Sequence, residues 1–541
     1  MLSRRDRLVV SNGTQAPPQD LGRRRRLSAA AAIFGVATGF SRVLGLVREI
    51  VVRNYFGVEG NINAFTVAFQ VPNLLRALVA DVAFTSVFVP VFSELLVKGE
   101  RRRAWAVASS LFWILLLGLG GITAFCMVLA PLVVAPFGIP VGTEQLTVTL
   151  TRILFPTVTL LGVSGVFVGL LNSYERFTIP ALTPIAWNLA IIAGLVIGVP
   201  RAHSEDAKLY VYAGAVLVGT VIQVLLPLPW LRGLDGRLRV AVDWRDPAVK
   251  RVFLLMLPVT IGLGLINFNA FVDTLFASNL LDPSLAPASI DAAFRLYMLP
   301  QGLFSVAVAT VLFPSLSRFA ASGRMDQFRH TVGLGLRQIA FLLVPASVAC
   351  AVLAEPIVRL VYQRGAFTAA QTTVVADALA AFALGLTFNG AMLLLNRSFF
   401  GLQSPWLPTL VALANLGVNA VLDLSFYRLG IWGIPLATSV VNIAGATALV
   451  ILLHRRIGDI GIAGVLSAAG RVVVAGAILA PVAWGTWRLL DSALGDAFLP
   501  QLVALAAALA VGAIVYVALC SALRVEETKP VLRLLGLRRT S

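Results

Sequence analysis

Apolar runs of about 20 residues recur along almost the whole chain, and no other feature constrains its fold as much. Such a run crosses a ~30 Å hydrocarbon layer as an α-helix rising ~1.5 Å per residue, and lipid obliges each span to satisfy its own backbone hydrogen bonds. A ~19-residue hydropathy window places about 14 spans, near 28–52, 63–96, 105–134, 146–172, 180–199, 209–231, 252–280, 290–317, 333–354, 372–396, 407–426, 433–453, 472–489 and 499–522. The expected fold is an all-α polytopic membrane protein. The 13% share of charged residues agrees, since soluble domains carry about 25%.

The loops alternate in charge. Arg23 to Arg26, Lys98 with Arg101 to Arg103, Arg176, Arg232 through Arg251, Arg318 with Arg324 and Arg329, and Arg455 with Arg456 fall at one end of the spans, with Arg538 and Arg539 in the tail. At the opposite end, the loops near Gly142 and Pro283 hold no Lys or Arg, and those near Glu59 and Asp496 hold few. Basic loops mark the cytoplasmic side, so both termini are expected there. The net charge of +17 then reflects orientation, and nucleic acid is not an expected partner.

A repeat divides the chain. Asn63-Ala64 to Pro72, followed by Phe88 to Ser93, is echoed by Asp291-Ala292 to Pro300, followed by Leu312 to Ser317. If the second and eighth spans correspond, two six-helix lobes are related by a parallel repeat and the last two spans lie outside it. The expected divisions are a mobile tail (1–27), a first lobe (28–231), a basic linker (232–251), a second lobe (252–456), two extra spans (457–523) and a basic tail (524–541).

Charges inside spans point to function, because each costs roughly 2.5–3.5 kcal/mol at the helix centre. Arg42 and Arg48 lie in the first span beside Ser41 and Glu49, Arg76 in the second beside Asn73, and Arg295 in the eighth. Arg76 stands five residues from Asp81, about 140° around the helix, so the two pair poorly within it. Arginines facing one cavity repel unless an anion joins them, and their planar forks suit phosphate or carboxylate. Spans seven, eleven and twelve carry Asn267, Asn269, Asp273, Asn415, Asn419, Asp423, Thr438 and Ser439, oxygen-bearing groups of the kind that hold hard cations or bond between helices. Cys126, Cys350 and Cys520 are isolated, and no zinc, nucleophile or phosphate-loop motif occurs, so an enzyme reading has little support.

The runs SRVLGLVRE (Ser41 to Glu49), NAFTVAFQVPNLLR (Asn63 to Arg76), FVPVFSE (Phe88 to Glu94), LFPSLSRF (Leu312 to Phe319) and YQRGAFT (Tyr362 to Thr368), in this order, resemble the lipid II flippase family MurJ, or MviN, within the multidrug/oligosaccharidyl-lipid/polysaccharide exporter superfamily. The resemblance implies two six-helix lobes and two extra helices forming a groove for a lipid tail. It implies movement of lipid-linked peptidoglycan precursor from the cytoplasmic to the outer leaflet of a bacterial plasma membrane, with no catalytic residue and no cofactor beyond sodium coupling. Arg42, Arg48, Arg76 and Arg295 match its cavity arginines. Asp273, Asn419 and Asp423, with Thr438 or Ser439, match its sodium site where one exists. Lipid II and membrane lipids are the implied partners, with cell-wall synthesis proteins as further candidates. Two places where the family often carries acids hold Phe294 and Met298 here, and a loop aspartate before the second span is Asn63. Export of another polyprenyl-linked glycan or a drug, or a non-transporting scaffold role, stay open at this point.

Overall fold

The computed structural model describes residues 18–79 and 81–534; at 18–34, 79, 81–83, 85–86, 258–259, 261–263, 266, 531 and 534 it describes the backbone alone. Among the described residues every regular element is helical. The first lobe holds α1 (Pro18–Phe56), α2 (Ile62–Val79), α3 (Asp81–Val97), α4 (Arg101–Val128), α5 (Ala130–Val134), α6 (Glu144–Leu154), α7 (Pro156–Ser173), α8 (Thr178–Gly198), α9 (Glu205–Leu225) and α10 (Leu228–Leu231). The second holds α11 (Pro247–Leu280), α12 (Ala286–Pro300), α13 (Val306–Ala321), α14 (Met325–Val352), α15 (Ala354–Tyr362), α16 (Ala369–Gly401), α17 (Trp406–Phe426) and α18 (Gly433–Ile457). Helices α19 (Ile462–Leu494) and α20 (Phe498–Ala522) form a hairpin on α14, and α21 (Thr528–Leu534) follows.

Eleven single or joined helices among the described residues are long and apolar enough to cross a membrane. Helix α1, the α2–α3 pair and α11 stand where three further spans are expected, so the total is compatible with about 14. The chain is a multi-pass membrane protein. Of the tail expected at 1–27, residues 1–17 lie outside the described residues, and α1 already begins at Pro18. The second tail includes α21, and residues 535–541 lie outside the described residues.

Local chemistry sets several boundaries. Asp246 accepts from the Ala248 amide at 2.7 Å and Pro247 occupies the first turn, a strong start for α11 inside the expected linker. The first turns of α11 then pack Ala248, Val249, Val252 and Met256 into a core with α3 and α4, so they belong physically to the first lobe. Between α12 and α13 lies a π-helical turn, Gln301–Ser305, directly after Pro300. Wide turns of this kind gather at functional sites in helices.

At the end away from the basic loops one apolar core runs through both lobes. Val52, Phe56, Phe65 and Tyr212 of the first share it with Ala288, Ala292, Leu296 and Tyr297 of the second. Backbone bonds reinforce the seam: Gly60 donates to the Ser284 carbonyl at 2.7 Å, and Ala366 to that of Asn54 at 2.8 Å. Gly365, with φ of 60°, brings the 363–368 loop so close to Asn54 that a Cβ there would meet the Asn54 carbonyl oxygen at 2.2 Å.

Candidate functional site

Two helices meeting at this seam build a chain of ion pairs across the lobe boundary. Helix α1 supplies Arg48, Glu49 and Arg53; α12 supplies Asp291 and Arg295 one turn apart. Glu49 Oε1 lies 2.7 Å from Arg48 Nη2 and 3.1 Å from Arg295 Nη1. Asp291 Oδ2 accepts from Arg295 Nε at 2.9 Å and from Arg53 Nη2 at 2.8 Å. Arg53 Nη2 is also 4.0 Å from Glu49 Oε2, so this acid has an arginine one turn along its own helix. Helix α8 holds Arg48 from the other side, through Asn188 Oδ1 at 3.1 Å and the Trp187 ring at 4.7 Å.

Arg48, Glu49 and Arg53 are buried, and the Nε atoms of both arginines have no hydrogen-bond partner. A cavity of about 30 Å³ is lined by Glu49, Arg53, Asp291 and Arg295 together with Gln70 and Tyr212. Three guanidiniums against two carboxylates leave one positive charge in surplus, in surroundings where an unpaired charge is costly. The surplus charge favours an anion, which would bind by taking over guanidinium donors that Glu49 and Asp291 now occupy.

The remaining expected residues divide. Arg42 is exposed, forms no hydrogen bond or ion pair among the described residues, and lies against Gly302 of the opposite lobe, where a Cβ would come within 2.2 Å of Arg42 Nη1. It therefore faces the gap between lobes. Ser41 offers its carbonyl to Asn188 Nδ2 at 3.5 Å. Arg76 turns back on Asn73, whose Oδ1 accepts from Nη2 at 2.8 Å and from Nε at 3.2 Å. The side chain of Asp81 lies outside the described residues. Gln70, one turn before Asn73, donates to Thr274 Oγ1 at 2.9 Å and joins α2 to α11.

The second cluster lies between α11, α17 and α18. Asn419 Nδ2 bridges Asp273 Oδ1 at 2.6 Å and Asp423 Oδ2 at 2.8 Å; Thr438 Oγ1 donates to Asp273 Oδ2 at 3.4 Å, and Asn269 Nδ2 reaches it at 3.3 Å. Asn419 Oδ1 and Asp423 Oδ1 are buried without a hydrogen-bond partner. Two carboxylates, an amide oxygen and a hydroxyl fit a small hard cation, and turning the Asn419 amide over would present Oδ1 to the acids. Ser439 does not join them, and its expected place in the set is corrected. Its hydroxyl donates to the Ala381 carbonyl at 2.6 Å and accepts from the Gly385 amide at 3.0 Å, on the other side of α18.

Sequence reading missed Arg53, Asp291 and Asn188. The first two were signalled by acid–arginine pairs four residues apart, Glu49 with Arg53 and Asp291 with Arg295. Phe294, at a position where an acid was anticipated, stacks with Tyr297 at 5.7 Å and tilts against Phe382 at 5.6 Å. Asp291 puts a carboxylate one helical turn before Arg295, and Asn63 ties the lobes, with Oδ1 accepting from the Ala288 amide at 2.8 Å.

Comparison with known proteins agrees with this architecture. Residues 52–505 match the family model described as lipid II flippase MurJ. A lipid II flippase MurJ of Burkholderia cenocepacia is 32% identical over 400 residues, covering 72% of this chain and 76% of that protein. A probable lipid II flippase MurJ of Rhizobium tropici is 32% identical over 432 residues, covering 78% and 80%. Among solved structures, a lipid II flippase MurJ in an inward closed conformation superposes with a TM-score of 0.75 at 24% identity, over 93% of this chain and all of that one. An inward-facing multidrug resistance transporter of the MATE family superposes at 0.67 and 16% identity, over 78% of this chain and 95% of its own, and shares the fold. On the match over 52–505 and the relatives at 32% identity, the chain belongs to the lipid II flippase MurJ family.

Proposed function

We propose that the chain carries lipid II from one leaflet to the other by alternating access, with the headgroup passing between the lobes and no bond broken. The observation that carries this reading is the ion-pair chain Arg48–Glu49–Arg295–Asp291–Arg53, which crosses the lobe boundary with one arginine in surplus. A diphosphate has the charge to satisfy that surplus and the oxygens to occupy several forks at once. Arg42 stands in the gap on the basic side of this cluster, with Ser41 beside it, and Arg76 with Asn73 is the partner set on α2.

The basic loops are taken as cytoplasmic and both termini with them. The seam through Phe56, Tyr212 and Tyr297 then closes the outer side, so the headgroup enters from the cytoplasm. Its binding exchanges the pairs that hold the lobes together and lets the outer end part. The polyprenyl tail stays in lipid, along the α19–α20 hairpin. The shared MATE fold alone does not favour a drug as substrate, since fold and function separate readily.

Sodium coupling belongs to the same proposal. Asp273, Asn419, Asp423 and Thr438 would hold the ion, which when bound supplies positive charge between two carboxylates. Asp273 sits on α11, the helix whose first turns pack in the other lobe, so the site lies on an element shared by both.

The test is exposure of lipid II to an externally added enzyme that cleaves it, in cells depleted of every other flippase. Wild type should restore cleavage, while Arg42→Ala and Arg295→Ala should lower it at least about tenfold at equal expression, as expected for losing a charged contact worth ~1.4 kcal/mol or more. Cleavage that stays at the depleted level with well-expressed wild type would refute the substrate.

A further inference from the structure

The segment between α10 and α11 leaves an apolar face uncovered. From Gly236 to Asp243 the backbone has no helical structure and bends at Val240, and the apolar residues Val240, Val242 and Trp244 are all exposed. Val240 is 84% exposed, Val242 43% and Trp244 64%. The segment is nonetheless held in place. Arg239 donates its amide to Ser109 Oγ at 3.0 Å, Asp243 donates its amide to Ser110 Oγ at 3.1 Å, and Trp113 Nε1 donates to the Arg239 carbonyl at 2.9 Å, all on α4.

Those contacts fix its depth. Helix α4 has 28 residues and is about 42 Å long, roughly 12 Å more than the hydrocarbon layer. Ser109 and Ser110 lie about 12–14 Å from Arg101, so placing that excess at the charged Arg101–Arg103 end of α4 puts them at its inner limit. One turn past Trp113, the surface of α4 turns to exposed apolar residues, with Leu117 at 61% and, further on, Phe125 at 66%. The segment therefore sits where headgroups meet acyl chains, the depth at which tryptophan is favoured.

Its charge is complementary to lipid phosphate. Among the described residues Arg237, Arg239 and Arg245 are exposed and form no ion pair, while the nearby acids are engaged: Asp235 with Arg101 at 3.3 Å, Asp246 with Arg103 at 3.4 Å, and Asp243 with the amides of Arg245 and Asp246. We propose that residues 237–245 form an interfacial strap that binds anionic phospholipid in the leaflet at the basic end, seating Val240, Val242 and Trp244 among the upper acyl carbons and setting three arginines against the phosphates. Because the strap joins the lobes and leads into α11, it anchors their junction to that leaflet. The inference rests on the membrane fold and not on the identity of the transported lipid.

The test uses the full chain in vesicles of phosphatidylcholine, alone or mixed with phosphatidylglycerol. Cys126, Cys350 and Cys520 are replaced by Ala, and Val240→Cys carries an environment-sensitive fluorophore. With phosphatidylglycerol present, emission should shift to the blue, spin-labelled lipid should quench it, and aqueous iodide should quench it severalfold less than a label placed by Val141→Cys, a site 99% exposed. Replacing Arg237, Arg239 and Arg245 by Gln should abolish the dependence on phosphatidylglycerol, each arginine being worth roughly fivefold at an anionic surface. In a chain that keeps its cysteines, the emission lost on Trp244→Phe should be quenched by brominated lipid, which guards against a folding defect in the substituted background. Equal iodide quenching at 240 and 141 in both vesicle types, with no lipid quenching at Trp244, would overturn the proposal. So would membrane seating that ignores lipid charge and survives loss of the three arginines, since anionic lipid is then not the ligand.

Discussion

Thr438 and Ser439 are neighbours in the chain with opposite surroundings. Thr438 reaches Asp273, whereas Ser439 braces α16 by accepting from the Gly385 amide. Thr438→Ala should therefore raise the sodium concentration needed for half-maximal flipping severalfold, and Ser439→Ala should leave it unchanged while lowering thermal stability by about 0.5–1.5 kcal/mol, the net worth of a typical hydrogen bond. Flipping measured against sodium, with a melting curve for each variant, separates the two. Gly302→Ala should push the Arg42 guanidinium aside without unfolding the chain, because the clash falls on the free end of an exposed side chain. Lipid II binding should weaken in this variant while its melting temperature holds. Arg42, Arg48 and Arg295 were legible in the sequence because each interrupts an apolar run. Arg53 and Asp291 were not, because a charge at the end of a span is ordinary, and the pair they form joins residues 238 positions apart. Nor did spacing reveal that Ser439 faces away from Thr438, since adjacent residues on a helix differ by about 100° and only packing shows which face meets the acids.

At the scale of elements, α1 and α12 form a latch with built-in alternatives. Parting the lobes breaks Glu49–Arg295 and Arg53–Asp291, yet Glu49 keeps Arg48 and gains Arg53, while Asp291 keeps Arg295. No carboxylate is stranded, which is what a reversible switch between two packings requires. Asp291→Asn removes the shared negative charge, leaving Arg53 the Gly57 carbonyl and, at 4.0 Å, Glu49 as the one acid beside it among the described residues. The sealed end should then lose stability by roughly 3–5 kcal/mol, the scale of breaking a buried pair. A thiol reagent added from outside should label a cysteine at Ala288, fully buried in the seam, faster in this background than beside native Asp291. Hydropathy located the helices well but misjudged two features of this level. The wide turn after Pro300 has no apolar signature, and the start of α11 follows from the Asp246-Pro247 cap, a polar signal inside a segment that reads as a basic loop.

For the whole molecule, the backbone bond between Asn54 and Ala366 offers a lock. Cysteines at these two positions, joined by a short bifunctional thiol reagent with a cleavable disulfide, should abolish flipping and release it on reduction. Flipping that persists with the link complete would show that the sealed end need not open. The repeated Asn/Asp-Ala to Pro pattern is the sequence's ground for expecting two lobes, but the mutual burial of Phe56, Tyr212 and Tyr297 was not legible, because contacts between distant segments leave no local period. That mutual burial also gives the gate a thermal character. Ion pairs contribute at all temperatures, whereas apolar contact weakens on cooling and carries a heat capacity, so opening a seam lined by such residues wets apolar surface and raises the heat capacity of the chain. The ratio of sealed to open molecules should accordingly trace a curve, not a line, when its logarithm is plotted against reciprocal temperature, with the seal loosening toward the cold.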